Sequence, residues 1–231
     1  METNGDVFLA FIEISGFKEK LKNDSKDAYS ALDSFYNVGY KTVSDLKECE
    51  LSALFVADYG VIWTKDIKDS TDEVKIQQLK YLLDAIKNIN DKCLHAKIML
   101  TTSIAYGDFC YKERIELSDP LKESFLGNAY VMAFMDSNND KPKLEPGQCR
   151  IVKNTLPIRI ANAIDISDVA GGQNKFAPDY LIKKKDNSRI HYYYYWMVDK
   201  LEQIEMFEKQ YSNSYNLMYS VFFNALTNAK E

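Results

Sequence analysis

Long apolar runs are missing from this 231-residue chain. Those at 7–12 and 54–57 fall far short of the roughly 20 residues a membrane-spanning helix requires, so no span is expected. A basic excess is missing as well. With 29 Lys and Arg against 34 Asp and Glu, the formal charge is −5, which argues against a general nucleic-acid binder whose phosphate contacts need a basic surface. There is no C-x-x-C pair. Only two histidines, His95 and His191, accompany four scattered cysteines, Cys49, Cys93, Cys110 and Cys149. The pattern argues against a zinc site and leaves the thiols as buried or half-buried side chains in a reducing compartment. Cys93 and His95 are close in sequence, but residues two apart do not share a helix face, so a nucleophilic dyad is not expected. The first residues lack a basic segment ahead of an apolar one, and a cytoplasmic location is expected. No internal repeat or useful heptad register is present.

What remains is a globular composition, 46% hydrophobic and 27% charged, long enough to close one large core with or without a small appendage. Residues 6–14 form a continuous apolar, β-favouring run ending at Ser15-Gly16, which predicts a buried central strand with a sharp exit. Helical spacing follows to about Glu48, interrupted near Asn23 to Ser25, where a second helix is expected to be capped. Two short β-rich runs, 52–57 and 60–64, are joined by Asp58-Tyr59-Gly60, a hairpin with Asp58 at its turn. Ser70 to Glu73 open a long helix reaching about His95, with acids in its first turn as the macrodipole favours. A strand over 97–105 and a short one over 109–115 complete the order strand, helix, strand, strand, helix, strand.

That order is the split β-α-β arrangement of an α+β, ferredoxin-like (βαββαβ) sheet. Beyond residue 116 the expected elements are a loop, a helix over 127–136, a surface connection, and a strand at Cys149 to Val152. A turn is expected at Ala170 to Asn174, then a half-buried aromatic strand over 192–196, which otherwise serves as a dimer contact, and a final helix from Asp199 to about Ala229. Residues 1–165 are expected to form the principal domain and 166–231 a C-terminal β/helical extension packed on the same core.

Two constellations carry candidate chemistry. Phe11-Ile12-Glu13-Ile14-Ser15-Gly16-Phe17-Lys18 places an acid at the end of an apolar strand, before a small-residue turn into a helix; carboxylate oxygens suit a divalent cation and helix-start amides suit phosphate. The alternative is that Glu13 caps a sheet edge and pairs with Lys18 or Lys20. Phe55-Val56-Ala57-Asp58-Tyr59-Gly60 places a second carboxylate at a hairpin tip, although an Asp near a Gly is also ordinary turn chemistry. In the ferredoxin-like order the end of the first strand and this hairpin share one end of the sheet, making Glu13 and Asp58 neighbours. Two such acids repel unless a cation such as Mg²⁺ or Mn²⁺ lies between them, and a metal-bound nucleotide is the implied ligand. Tyr59 is a candidate for stacking on a base or for packing at the rim. Asn128 is a candidate for reaching the nucleotide of a partner subunit or for capping a helix. Arg150 is a candidate for binding phosphate or for closing a surface ion pair.

The series Phe-Ile-Glu-Ile-Ser-Gly-Phe-Lys, Phe-Val-Ala-Asp, Ile-Ala-Tyr-Gly at 104–107, Gly-Asn-Ala-Tyr at 127–130 and Cys-Arg-Ile-Val at 149–152 resembles the class III nucleotide cyclases. It looks most like the short bacterial branch that makes cyclic UMP or cyclic CMP in anti-phage (Pycsar) defence. The resemblance implies a homodimer with active sites at the subunit interface and Mg²⁺ or Mn²⁺ held at Glu13, Ile14 and Asp58. It further implies that the 3′-hydroxyl of a nucleoside triphosphate, UTP or CTP, attacks the α-phosphate with loss of pyrophosphate. Glu13 and Asp58 would be catalytic. Ile14, Ser15, Gly16, Phe17, Lys18, Tyr59, Asn128 and Arg150 would contact the substrate. Glu13 stands where the family usually has Asp, and Thr101 lies where it usually has an Arg. Those departures keep open a catalytically degenerate homologue that binds nucleotide or a protein partner, and beyond it a purely structural α+β interaction module.

Overall fold

The computed structural model describes residues 3–115, 121–139, 142–165, 176, 180–183, 190–200 and 203–204. The strands are β1 (Thr3–Ile14), β2 (Ser52–Val56), β3 (Tyr59–Trp63), β4 (Leu100–Ile115), β5 (Leu121–Leu126), β6 (Cys149–Val152), β7 (Ile182–Lys183) and β8 (His191–Tyr194). They form one sheet in the order β2-β3-β1-β4-β6-β8-β7, with β5 pairing to β4 off this path. The helices are α1 (Phe17–Asn23), α2 (Ser25–Asp45), α3 (Asp72–His95), α4 (Asn128–Ser137) and α5 (Ile158–Asp165). The first four strands in sequence occupy the order β2-β3-β1-β4, the ferredoxin-like arrangement that the element order predicts.

Strand β1 is continuously apolar from Val7 to Ile12 because it is covered there on both sides. Alternate side chains point to opposite faces. Phe8, Ala10, Ile12 and Ile14 join the core that includes Phe35 of α2 and Leu79, Leu83 and Ile86 of α3. Val7, Leu9 and Phe11 join a second cluster that includes Ala129 and Ala133 of α4. The sheet is therefore sandwiched between an α2/α3 layer and α4. Asp24 caps α2, its carboxylate accepting from the Lys26 and Asp27 amides, and Thr71 caps α3 through the Val74 amide.

Several sequence expectations change. Residues 97–115 were expected to be two strands separated at Tyr106-Gly107-Asp108, but β4 runs unbroken from Leu100 because β1 begins at Thr3 and pairs with it along its length, Val7 opposite Gly107. The hairpin turn is Ala57-Asp58, while Tyr59 and Gly60 are already in β3. Gly60 is needed for space, not for a turn. A Cβ there would lie 2.4 Å from the Phe55 ring, and one at Gly39 of α2 would lie 2.1 Å from it, so Phe55 is pinched between two glycines.

The aromatic run does not form a half-exposed strand. His191 to Tyr194 are buried on both faces between β6 and β7, and Tyr195 and Trp196 are buried with them, which removes the run as a dimer contact. The turn expected at 170–174 and most of the final helix expected over 199–229 lie outside the described residues. Among the described residues no helix is long and apolar enough to cross a membrane.

Candidate active site

The pairing of β1 with β3 brings Glu13 and Asp58 to one end of the sheet. Antiparallel register sets Glu13 opposite Tyr59, and the Ile14 amide donates to the Asp58 carbonyl at 2.8 Å. Glu13 follows Phe11 on the α4 face of β1. It lies at the end of a central strand, between β3 and β4. Lys20, the other partner weighed for it, is paired with Asp27. Both acids are half-buried. Burial, then the negative charge of Asp58, push the Glu13 carboxyl above the usual range, while the Lys18 ammonium pulls it back. Two carboxylates thus repel each other beside one exposed cation.

The tip that carries Asp58 is strained. Ala57 adopts φ 50°, a left-handed conformation that a residue with a Cβ rarely takes. Its carbonyl accepts a hydrogen bond from Tyr36 Oη of α2 at 3.1 Å, and Tyr40 Oη, one helical turn on, accepts from the Phe55 amide at 3.2 Å. The other approach to the acids is the turn after β1. The Ser15 amide donates to the Met99 carbonyl at 2.9 Å, so the amides of Ile14 and Ser15 are engaged within the sheet. Gly16 has φ 70°, and a Cβ there would meet nothing within 4 Å, which leaves the start of α1 open. Phe17 packs against the core and Lys18 is exposed.

The three remaining candidates are placed differently from one another. Tyr59 lies beside the acids, its ring stacked on Phe11 at 5.2 Å between centroids, so one ring face is used for packing at the rim. Asn128 is exposed at the start of α4; it does not cap the helix, because Asp108 does so, accepting from the Asn128 amide at 3.4 Å and from its side chain at 2.6 Å.

Arg150 is the clearest correction. It was expected to reach phosphate or close a surface pair, but its side chain is 0% exposed and lies against the Asp136 carboxylate at 2.9 Å, with its other nitrogens on the carbonyls of Pro142 and Asp136. A guanidinium buried among its own acceptors does not reach a bound phosphate. Cys93 and His95 also part: the thiol is fully buried and pushed up to about 12 by burial, while His95 is exposed.

Sequence reasoning missed the arrangement around Asp136. Its carboxylate accepts from Ser103 Oγ at 2.6 Å, Arg150 Nε at 2.9 Å and His191 Nε2 at 2.7 Å, tying α4 to β4, β6 and β8. One signal was available. Arg150 stands inside the apolar run Cys149 to Val152, where a charged residue needs a buried partner. Also missed was the aromatic floor, in which Phe11 meets Phe134 at 5.4 Å and Tyr130 at 6.3 Å, both from α4.

The donor set suits a divalent cation carried by a phosphate ligand. Among the described residues no three His, Cys, Asp and Glu side chains converge, so an ion held at Glu13 and Asp58 would need further oxygen donors from the main chain, a ligand or water. The like charge of the two acids favours such an ion.

No protein-family model matches the chain, and no curated protein matches it in sequence. Solved structures do match. The guanylyl cyclase Cya2 superposes with a TM-score of 0.51 at 11% identity, over 83% of this chain and 91% of that one. The adenylyl cyclase CyaB from P. aeruginosa superposes with a TM-score of 0.53 at 12% identity, over 84% and 95%. A bacterial light-regulated adenylyl cyclase gives a TM-score of 0.56 at 8% identity, covering all of this chain and 59% of its own. The chain has the α+β core fold of the class III nucleotide cyclases.

Proposed function

We propose that the chain is a nucleotide cyclase whose site is built around Glu13 and Asp58. The observation that carries this reading is the meeting of the two acids at the end of a central strand, in a fold shared with adenylyl and guanylyl cyclases. Glu13, Asp58 and the main-chain oxygen of Ile14 would hold Mg²⁺ or Mn²⁺. When bound, the ion supplies neutralisation of phosphate charge and a lowered pKa for the ribose 3′-hydroxyl. The open turn at Gly16 admits a triphosphate, and the exposed Lys18 adds positive charge beside it. In the overall step the 3′-oxygen bonds to the α-phosphorus, the bond to pyrophosphate breaks, and the hydroxyl proton leaves to solvent.

The finer reading is a cytoplasmic homodimer that converts UTP or CTP to the 3′,5′-cyclic monophosphate in anti-phage signalling, residues 1–165 forming the catalytic domain. Its support is the order of the sequence motifs. Purified protein given Mn²⁺ and each of the four nucleoside triphosphates tests it: pyrophosphate release is expected, greatest with UTP or CTP, and lost in Glu13→Ala and Asp58→Ala. Release that survives both substitutions would overturn the assignment of the site. Nucleotide-dependent thermal stabilisation without release would indicate a homologue that binds and does not turn over.

A further inference from the structure

Resting on that reading of the acids, we propose that Tyr36 of α2 is a positioning residue that sets the Asp58 carboxylate for metal by holding the strained hairpin tip. Tyr36 Oη donates to the Ala57 carbonyl at 3.1 Å. That carbonyl belongs to the peptide group joining Ala57 to Asp58, so a bond to it restrains the backbone directly ahead of the acid. The restraint has something to oppose. Ala57 has φ 50° without being glycine, so the turn is not a conformation the residue adopts readily by itself, and such strain persists only where the surroundings over-determine it.

The anchor stands on a packed stretch of α2. Phe35, next to Tyr36, is fully buried, and α2 lies close on the hairpin because Gly39 admits the Phe55 ring. On its other side the tip is held by the Ile14 amide on the Asp58 carbonyl at 2.8 Å. Two bonds, one from β1 and one from α2, therefore fix the peptide groups on both sides of the Asp58 Cα. Tyr40 makes a bond of the same kind to the same hairpin, but at the Phe55 amide, away from the tip.

Direct Mn²⁺ binding, read from the loss of the free-ion electron paramagnetic resonance signal, tests the proposal on the full chain without substrate. Wild type, Tyr36→Phe, Tyr40→Phe, Glu13→Ala, Asp58→Asn and the Tyr36→Phe/Asp58→Asn double variant are compared, each first shown to melt cooperatively. Tyr36→Phe should weaken Mn²⁺ binding about fivefold, the factor that about 1 kcal/mol, typical of one hydrogen bond, converts to. Tyr40→Phe should leave Mn²⁺ binding within about twofold of wild type. In the Asp58→Asn background the Tyr36 change should have no further effect.

Wild-type binding that depends on Glu13 and Asp58 but is unchanged in Tyr36→Phe overturns this inference alone. An equal loss in Tyr40→Phe, or a full loss in the Asp58→Asn background, also overturns it, because the hydroxyl would then act through general stability. Absence of Mn²⁺ binding that depends on the two acids overturns the metal reading and this inference with it.

Discussion

Replacing Asp136 with Ala should remove a large part of the stability of the chain. Asp136 is 7% exposed and Arg150 is fully buried, so the substitution strands a guanidinium in the interior and takes away the acceptor shared by Ser103 and His191. Removing one partner of a buried pair costs about 3–5 kcal/mol. Arg150 keeps the carbonyls of Pro142 and Asp136, at 2.8 and 2.7 Å, which places the expected loss near the lower end, about 3 kcal/mol. Urea denaturation at pH 7 reads it as a fall in midpoint at constant slope. Removing both charges, in Asp136→Leu with Arg150→Met, should recover the part of that loss due to the stranded guanidinium, while Ser103 and His191 still lack their acceptor.

The pH profile supplies a second arm. Burial raises the Asp136 carboxyl, but the hydrogen bonds from His191, Ser103 and Arg150, together with the Arg150 charge, outweigh it and leave it below the usual value. Because the folded value is depressed, the contribution is fully present above the ordinary unfolded carboxylate value of about 4 and is lost as pH falls through the folded one. Asp136→Ala should therefore lose less stability than wild type in that acidic window. A loss below about 1 kcal/mol at pH 7, or a double variant less stable than Asp136→Ala, would refute the reasoning.

Three further outcomes are expected. Glu13→Gln should stabilise the metal-free protein at pH 7 by about 0.5 kcal/mol, because burial and then the Asp58 charge raise the Glu13 carboxyl in the fold and penalise its ionised form; a calorimetric melt reads the gain, which shrinks as pH falls through the folded value and is gone below the ordinary unfolded value of about 4. Gly39→Ala should destabilise by about 1–3 kcal/mol, since the new Cβ meets the trapped Phe55 ring, and the same melt in a Phe55→Leu background should show a smaller effect. Asp24→Ala should cost about 1 kcal/mol in urea denaturation through loss of the α2 cap.

The sequence by itself determined the elements whose signals are local. The unbroken apolar run of β1, the helical spacing of α2 and α3, the acids opening α3 and the short strand at Cys149 to Val152 all appear near their expected places, because periodicity and burial are written into neighbouring residues. The meeting of Glu13 and Asp58 at one sheet end was legible too, since it follows from strand order alone.

Only the tertiary structure decided what depends on a distant partner. Tyr106-Gly107-Asp108 looks like a turn until β1 supplies the ladder that keeps β4 straight, and Gly60 looks like a turn residue until the Phe55 ring explains it. Arg150 looks like a surface cation until Asp136 meets it in the interior, and the run at His191 looks half-exposed until β6 and β7 enclose it. Each of these residues takes its role from a contact across the sheet or between layers, and the energy of such a contact is invisible in the local pattern that sets secondary structure.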